Sequence, residues 1–200
     1  MNSTSKQILI VDDDELVLDI VQRILARSGY KVHIANNGIE AIEICTAQKP
    51  DLAILDIHMP GINGIETAQQ IQSTIATATP FVFFSACDDK DTITRAIECG
   101  ALGYLVKPIN VEQMILTIET AIHRSQDMKE LHENKEKLIE ALNNNRIIST
   151  AVGITMERQN LSQDAAFEAL RSQSRQNRKK MRKVCARIIA KSDLMHKKNT

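Results

Sequence analysis

The chain is poor in aromatics: they make up 3% of its 200 residues, and tryptophan is absent. Any core must therefore be built from Ile, Leu, Val and Ala, and the 43% apolar content is enough for one. The four cysteines, Cys45, Cys87, Cys99 and Cys185, form no CxxC pair. They read as reduced, small core or half-buried residues in a reducing compartment. No apolar run approaches the roughly 18 residues of a membrane span, and the N-terminal MNSTSKQ is polar. A soluble, cytoplasmic protein with no membrane partner is the expectation. From about Gln113 to Asn145 there is neither glycine nor proline, so nothing there interrupts a helix. An excess of one charge is also missing, because 25 basic residues balance 25 acidic ones. That neutrality conceals a division. Residues 1–122 hold 8 Lys/Arg against 16 Asp/Glu, and residues 123–200 hold 17 against 9. An acidic half joined to a basic half suggests a cation-binding or regulatory module tethered to a polyanion binder.

In the acidic half, strand and helix patterns alternate five times. Short apolar runs at 7–11, 51–55, 80–84 and 103–106, and the alternating KVHIA at 31–35, predict strands. Continuous apolar runs of this kind suit strands covered on both faces of a parallel sheet. Helical spacing fills 15–29, 37–48, 64–76, 90–99 and 110–124, with Gly29 placed to end the first helix. Such alternation predicts a doubly wound α/β domain with right-handed crossovers. Its chemistry should lie at the carboxyl ends of the strands.

Four strand ends carry polar groups suited to phosphoryl transfer. The first ends in Asp12, Asp13 and Asp14, the third in Asp56 before HMPG, the fourth in Ser85 and the fifth in Lys107-Pro108. Neighbouring carboxylates repel one another unless a hard cation joins them. Mg²⁺ prefers oxygen ligands and needs only one or two carboxylates beside phosphate oxygens. Asp56 is then the candidate nucleophile toward phosphorus, with Lys107 as a point charge and Ser85 as a hydroxyl donor. An acidic cluster after a strand also suits a plain helix N-terminus, and a single Lys-Pro suits a loop. The conjunction at successive strand ends favours the site.

The stretches ILIVDDDE, LAILDIHMPGINGIE, VFFSA and GALGYLVKP make residues 7–124 resemble a response-regulator receiver domain. The resemblance implies a flavodoxin-like five-stranded sheet of order 2-1-3-4-5. It implies that Asp56 accepts a phosphoryl group from a sensor histidine kinase. It implies that Asp13, Asp56 and the backbone carbonyl of His58 bind Mg²⁺, with Asp12 acting through water. Ser85 and Tyr104 fall on its switch positions and Lys107 on its lysine position. The His58 side chain is expected to face solvent near the site.

In the basic half, Met128, Leu131, Leu138 and Leu142 fall at heptad-like spacing, with Lys135 breaking the seam. This predicts a helical coiled-coil linker over 125–142, against the alternative of a single solvated helix. Helical patterns return at 146–158, 160–174 and 177–191 after Asn143–Asn145. Three short stripes of this size should pack as a bundle. Ser162 is placed to cap the second, with Asp164 in its first turn. Eleven basic residues and one acid lie between Arg171 and Lys198. On a helix starting near Asn177 they crowd around an apolar face of Met181, Val184, Cys185 and Ile188, as a polyphosphate binder would. A membrane-surface helix and a merely solvated one are the alternatives; the apolar face lacks Trp and Phe, and Glu is not interleaved.

IISTAVGITMER, then LSQDAAFEALRSQS and the Asn177–Ile189 helix, make residues 137–193 resemble an ANTAR domain. The pattern residues are Ala151, Gly153 and Met156, then a core of Ala166, Phe167 and Leu170 with Arg171. The resemblance implies a three-helix bundle that binds paired RNA hairpins in leader transcripts and promotes antitermination, with dimerisation presenting two bundles at once. The candidate RNA contacts are Arg171, Arg175, Arg178, Lys179, Lys180, Arg182 and Lys183. With so few aromatics, base stacking should fall to arginine planes. The expected organisation is a receiver over 1–124, a linker over 125–142 and an RNA-binding bundle over 143–200. The chain is expected to be a regulator rather than an enzyme, a homodimer when active. The alternatives are a phosphorylation-gated DNA-binding transcription factor and a regulator controlled by a sequestering sensor protein.

Overall fold

The structure is a computed structural model describing residues 5–74, 79–86, 89–108 and 110–196. Cys87 lies outside the described residues. In chain order the elements are β1 (Gln7–Val11), α1 (Glu15–Arg27), β2 (Lys31–Ala35), α2 (Gly38–Gln48), β3 (Leu52–Leu55) and α3 (Gly64–Thr74). Then follow β4 (Phe81–Ser85), α4 (Lys90–Glu98), β5 (Tyr104–Val106), α5 (Val111–Gln159), α6 (Gln163–Gln176) and α7 (Met181–His196). Two compact units divide between Lys129 and Glu130.

In the first unit the strands form one parallel sheet of order β2-β1-β3-β4-β5. Strand side chains alternate between faces, and the alternation sorts the core into two. Leu9, Val11, Ala53, Leu55, Phe81 and Phe83 pack with Ala41, Cys45, Ile65, Ala68, Ile71 and Ala96 of α2, α3 and α4. Ile8, Ile10, Leu52, Ile54, Val82, Phe84 and Leu105 pack with Leu18, Val21 and Leu25 of α1 and with Met114, Ile118 and Ala121 of α5. The scarce aromatics go to the centre: the Phe81 and Phe83 rings meet edge-on, 5.5 Å between centroids. Burial pushes the Cys45 thiol up to about 11, against a hydrogen bond from Thr79, so it is a packing group and not a nucleophile.

Local chemistry sets the helix ends. Gly29, at φ +89°, follows α1, and Tyr30 N–H returns to Leu25 O at 3.1 Å. Asn63 caps α3 through a reciprocal pair, accepting from Glu66 N–H at 2.9 Å while Glu66 Oε2 accepts from Asn63 N–H at 3.1 Å. Ser162 accepts from Ala165 N–H at the start of α6.

Two helical expectations are corrected. The separate helix expected over 146–158 is not separate: α5 runs unbroken for 49 residues and includes it. Asparagine has only a modest helix disadvantage, and no glycine or proline enforces a stop. The last helix starts at Met181 and not near Asn177. Asn177 instead caps the end of α6, and Arg178 sits in the left-handed region at φ +48°. Lys179 N–H bonds Ser174 O and Arg178 N–H bonds Arg175 O, each at 3.1 Å, which closes the helix in a Schellman turn.

In the second unit, Ala151, Val152, Ala166, Leu170 and Cys185 form the buried core, with Ile147, Ile148, Met181, Ile188 and Ile189 around it. Phe167 does not belong to that core; it is 38% exposed. Alanine at 166 lets α6 approach closely, and Leu170, one turn on, fills the space, so the larger ring is turned outward.

Candidate functional site

The acidic site arises because β1 and β3 are neighbours. Asp56 N–H donates to Val11 O at 2.8 Å, which sets the end of β3 beside Asp12. Asp12 and Asp56 are almost wholly buried, at 1% and 4% exposure, while Asp13 is open to solvent. Ligand oxygens from all three lie within 4.8 Å of one another. The third acid of the run does something else: the Asp14 carboxylate accepts from Leu16 N–H at 2.9 Å and caps α1. Asp14 thus caps the helix, while Asp12 and Asp13 cluster with Asp56.

Lys107 reaches this cluster from the end of β5. Its N–H donates to Ser85 O at 2.8 Å, which fixes its backbone beside β4. Its Nζ lies 2.7 Å from Asp12 Oδ2 and 3.1 Å from Asp56 Oδ1. The ammonium also sits 5.1 Å from the centroid of the Phe84 ring, a cation–π distance. Burial alone would lower the lysine's pKa, but hydrogen bonds and charge from Asp12 and Asp56 outweigh it and hold the group above its usual value. Burial is the largest influence on Asp56 too, and it raises that carboxyl above the ordinary range against the opposing Lys107 charge. The fold thus concentrates negative charge that one ammonium offsets only in part. Three hard carboxylate donors, one of them facing water, match the requirements of a divalent cation that keeps several waters.

Three further groups complete the site. His58 N–H donates to Asp56 Oδ2 at 2.9 Å, so the loop itself orients the carboxylate. The His58 side chain is exposed, as expected, yet its Nδ1 stands 3.4 Å from the Oγ of fully buried Ser85. That contact joins two residues far apart in sequence, and no spacing signalled it. Tyr104 is partly buried against the core cluster of α2, α3 and α4. Gly64 opens α3. In the fold, a Cβ there would overlap the Asp56 carbonyl oxygen, and Gly64 N–H bonds Ile57 O at 3.0 Å. Glycine here lets α3 begin directly beneath the Asp56 backbone.

The seven candidate RNA-contact residues divide among three places. Arg171 and Arg175 lie on α6, Arg178, Lys179 and Lys180 form the turn, and Arg182 and Lys183 open α7. All seven are exposed. A continuous helical face of positive charge was expected, and the left-handed Arg178 replaces it with a protruding tribasic turn. Arg171 pairs with Glu168 at 2.9 Å, and Arg182 approaches Glu140 at 3.7 Å. Both pairs are exposed and contribute little to stability, so an incoming phosphate competes with them readily.

The first unit matches the response regulator receiver domain over residues 8–119, and the second matches the ANTAR domain over residues 136–189. The chain is similar to transcriptional regulatory protein PdtaR of Mycobacterium tuberculosis, with 30% identity over 92% of this chain and 89% of that one. It is also 34% identical to response regulator MprA of Mycobacterium leprae, over 60% of this chain and 52% of that protein. Among solved structures, a CheY-like receiver domain from Methanospirillum hungatei superposes with a TM-score of 0.58 at 26% identity, covering 62% of this chain and 99% of that one. Chemotaxis protein CheY4 of Vibrio cholerae gives 0.55 at 28% identity, over 59% and 99%. A receiver fold with its acidic strand-end cluster, followed by an ANTAR bundle, places this chain in the response-regulator family, among the regulators of the ANTAR type.

Proposed function

We propose that the protein is a phosphorylation-dependent regulator that binds hairpin RNA in nascent leader transcripts and promotes antitermination. It acts in the cytoplasm and is not an enzyme. The observation that carries this reading is the Lys107 ammonium bridging Asp12 and Asp56, in a chain whose other unit displays seven exposed cations around one turn.

The donor is a sensor histidine kinase. An Asp56 oxygen attacks phosphorus, a P–O bond forms, the donor's P–N bond breaks and the leaving nitrogen takes a proton. Asp13, Asp56 and the His58 carbonyl would hold Mg²⁺, with Asp12 acting through water. The cation would supply charge neutralisation for the phosphoryl oxygens. Lys107 exchanges a carboxylate partner for phosphate, and Ser85 donates to another phosphoryl oxygen. The new group adds about −1.5 to −2 of charge. Ser85 and Tyr104 then rearrange, and α5 carries the change.

Dimerisation follows from α5. Leu131, Leu138 and Leu142 are exposed at heptad-like spacing, the pattern of a coiled-coil strand. Pairing two chains fixes two basic bundles together and raises RNA affinity through effective concentration. Leu131→Glu with Leu138→Glu is expected to leave the phosphorylated protein monomeric in light scattering and to weaken RNA capture at least tenfold. Dimers persisting in that variant would move the seam elsewhere.

The deciding experiment is a gel shift of tandem RNA hairpins with and without acetyl phosphate and Mg²⁺. Tighter binding on phosphorylation is expected, and equal affinity in both conditions removes the switch. A promoter duplex bound in preference to RNA would favour a DNA-binding transcription factor.

A further inference from the structure

A groove of about 540 Å³ runs between the end of α5 and the start of α6, lined by Asn145, Gly153, Met156, Asp164 and Phe167 among others. Two of its residues are unexplained by the fold. Gly153 lies inside α5, where glycine costs about 1 kcal/mol relative to alanine. Its φ is not positive, and an added Cβ would meet nothing within 4 Å. Neither backbone conformation nor packing within the chain requires it. Phe167 is the only aromatic residue after Tyr104, and it is turned outward into this same groove. An open helix backbone facing an exposed ring is a slot for a flat group.

The rim indicates which flat group. Asp164 repels phosphate but accepts from the N–H edge of a base, and the Asn145 amide can both donate and accept. Cations continue from the ring: Asp164, Phe167, Arg171 and Arg175 fall three, four and four residues apart, one stripe of α6. Each four-residue step is about 6 Å along the helix, comparable to the step between successive phosphates of an extended strand. A base in the slot would therefore place its 3′ or 5′ phosphates along arginines. We propose that this groove receives one unpaired base of the RNA, its face on Phe167 and its edge passing Gly153 toward Asp164, with the adjoining phosphates on Arg171 and Arg175. Stacking then falls to Phe167 and not to arginine planes. The inference rests on the RNA-binding reading above and adds a base-reading pocket to it.

The test uses the full chain, phosphorylated with acetyl phosphate and Mg²⁺, and tandem RNA hairpins with randomised loops from which binders are selected. Phe167→Leu removes the ring while keeping the apolar volume. Gly153→Leu fills the slot with a strong helix former, so the bundle should melt no lower than wild type. Each is expected to weaken binding of the selected RNA about tenfold, within the range for losing one base–aromatic stack. An abasic substitution at one loop position should cost wild type a similar factor. It should cost the Phe167→Leu variant almost nothing further. Wild-type affinity in both variants overturns the groove while leaving RNA binding in place. Loss of dimers without loss of RNA affinity per bundle would assign the groove to a second copy, also overturning the proposal. No selected RNA binding by wild type would sink both readings together.

Discussion

Asp56→Asn is expected to abolish incorporation of label from radioactive acetyl phosphate in the presence of Mg²⁺, and at the same time to raise the melting temperature of the receiver by a few degrees. The two effects share a cause. Burial holds the Asp56 carboxyl above the ordinary aspartate value of 3.8. The folded chain therefore keeps this proton to higher pH than the unfolded chain does. Stability falls as pH rises from the ordinary aspartate value through the raised one, because over that window the unfolded state binds fewer protons. At neutral pH the ionised Asp56 is a burden that the site retains for its chemistry. Asparagine keeps the shape and drops the charge, and Lys107 retains Asp12 as partner at 2.7 Å. Chemical denaturation at several pH values should show the variant lacking that part of the slope. Label remaining on the variant would place the acceptor elsewhere. A melting temperature well below wild type would mean that the Lys107–Asp56 pair outweighs the desolvation of the carboxylate.

Gly64→Ala should act on the same carboxylate through the backbone. The new methyl group would overlap the Asp56 carbonyl oxygen and crowd its carbon and Ile57 Cα. None of these atoms belongs to a flexible side chain, so the β3–α3 loop must move. Overpacking of this kind costs about 3 kcal/mol at its upper range. A displacement of about 1 Å at a nucleophile slows transfer roughly a hundredfold. Loss of both stability and labelling rate is expected, measured by denaturant melts and by the time course of phosphorylation. A variant that labels at the normal rate would show a loop compliant enough to absorb the methyl group.

The sheet and the acidic site were legible because each strand announced its own end. A parallel strand buried on both faces is a continuous apolar run, and the first polar residue after it marks the carboxyl edge. Asp12, Asp56, Ser85 and Lys107 stood out in that way. What could not be read depended on contacts between segments distant in sequence. The His58 ring approaches Ser85 from another loop and the Phe84 ring lies near the Lys107 ammonium, while the nearer contact of Gly64 with Asp56 depends on how the loop between them turns. In the bundle, periodicity placed the apolar stripes but not their limits. A new helix was expected from 146, and α5 instead runs into it through Asn143–Asn145. Phe167 was placed in the core by the family pattern and its helical spacing, although Ala166 and Leu170 already fill the space. The basic tract was taken for one helical face because charge counts are blind to a left-handed residue at Arg178.

That turn at Arg178–Lys180 gives the protein a built-in reporter. It joins two helices with three consecutive exposed cations and no helical hydrogen-bond ladder of its own, a segment a trypsin-like protease should nick early. Cleavage there needs the backbone to be free, so anything seated over the turn delays it. The rate of appearance of a fragment ending near residue 180 therefore becomes a label-free gauge of occupancy. It reads whether the bundle is engaged in crude extract, without knowledge of what engages it.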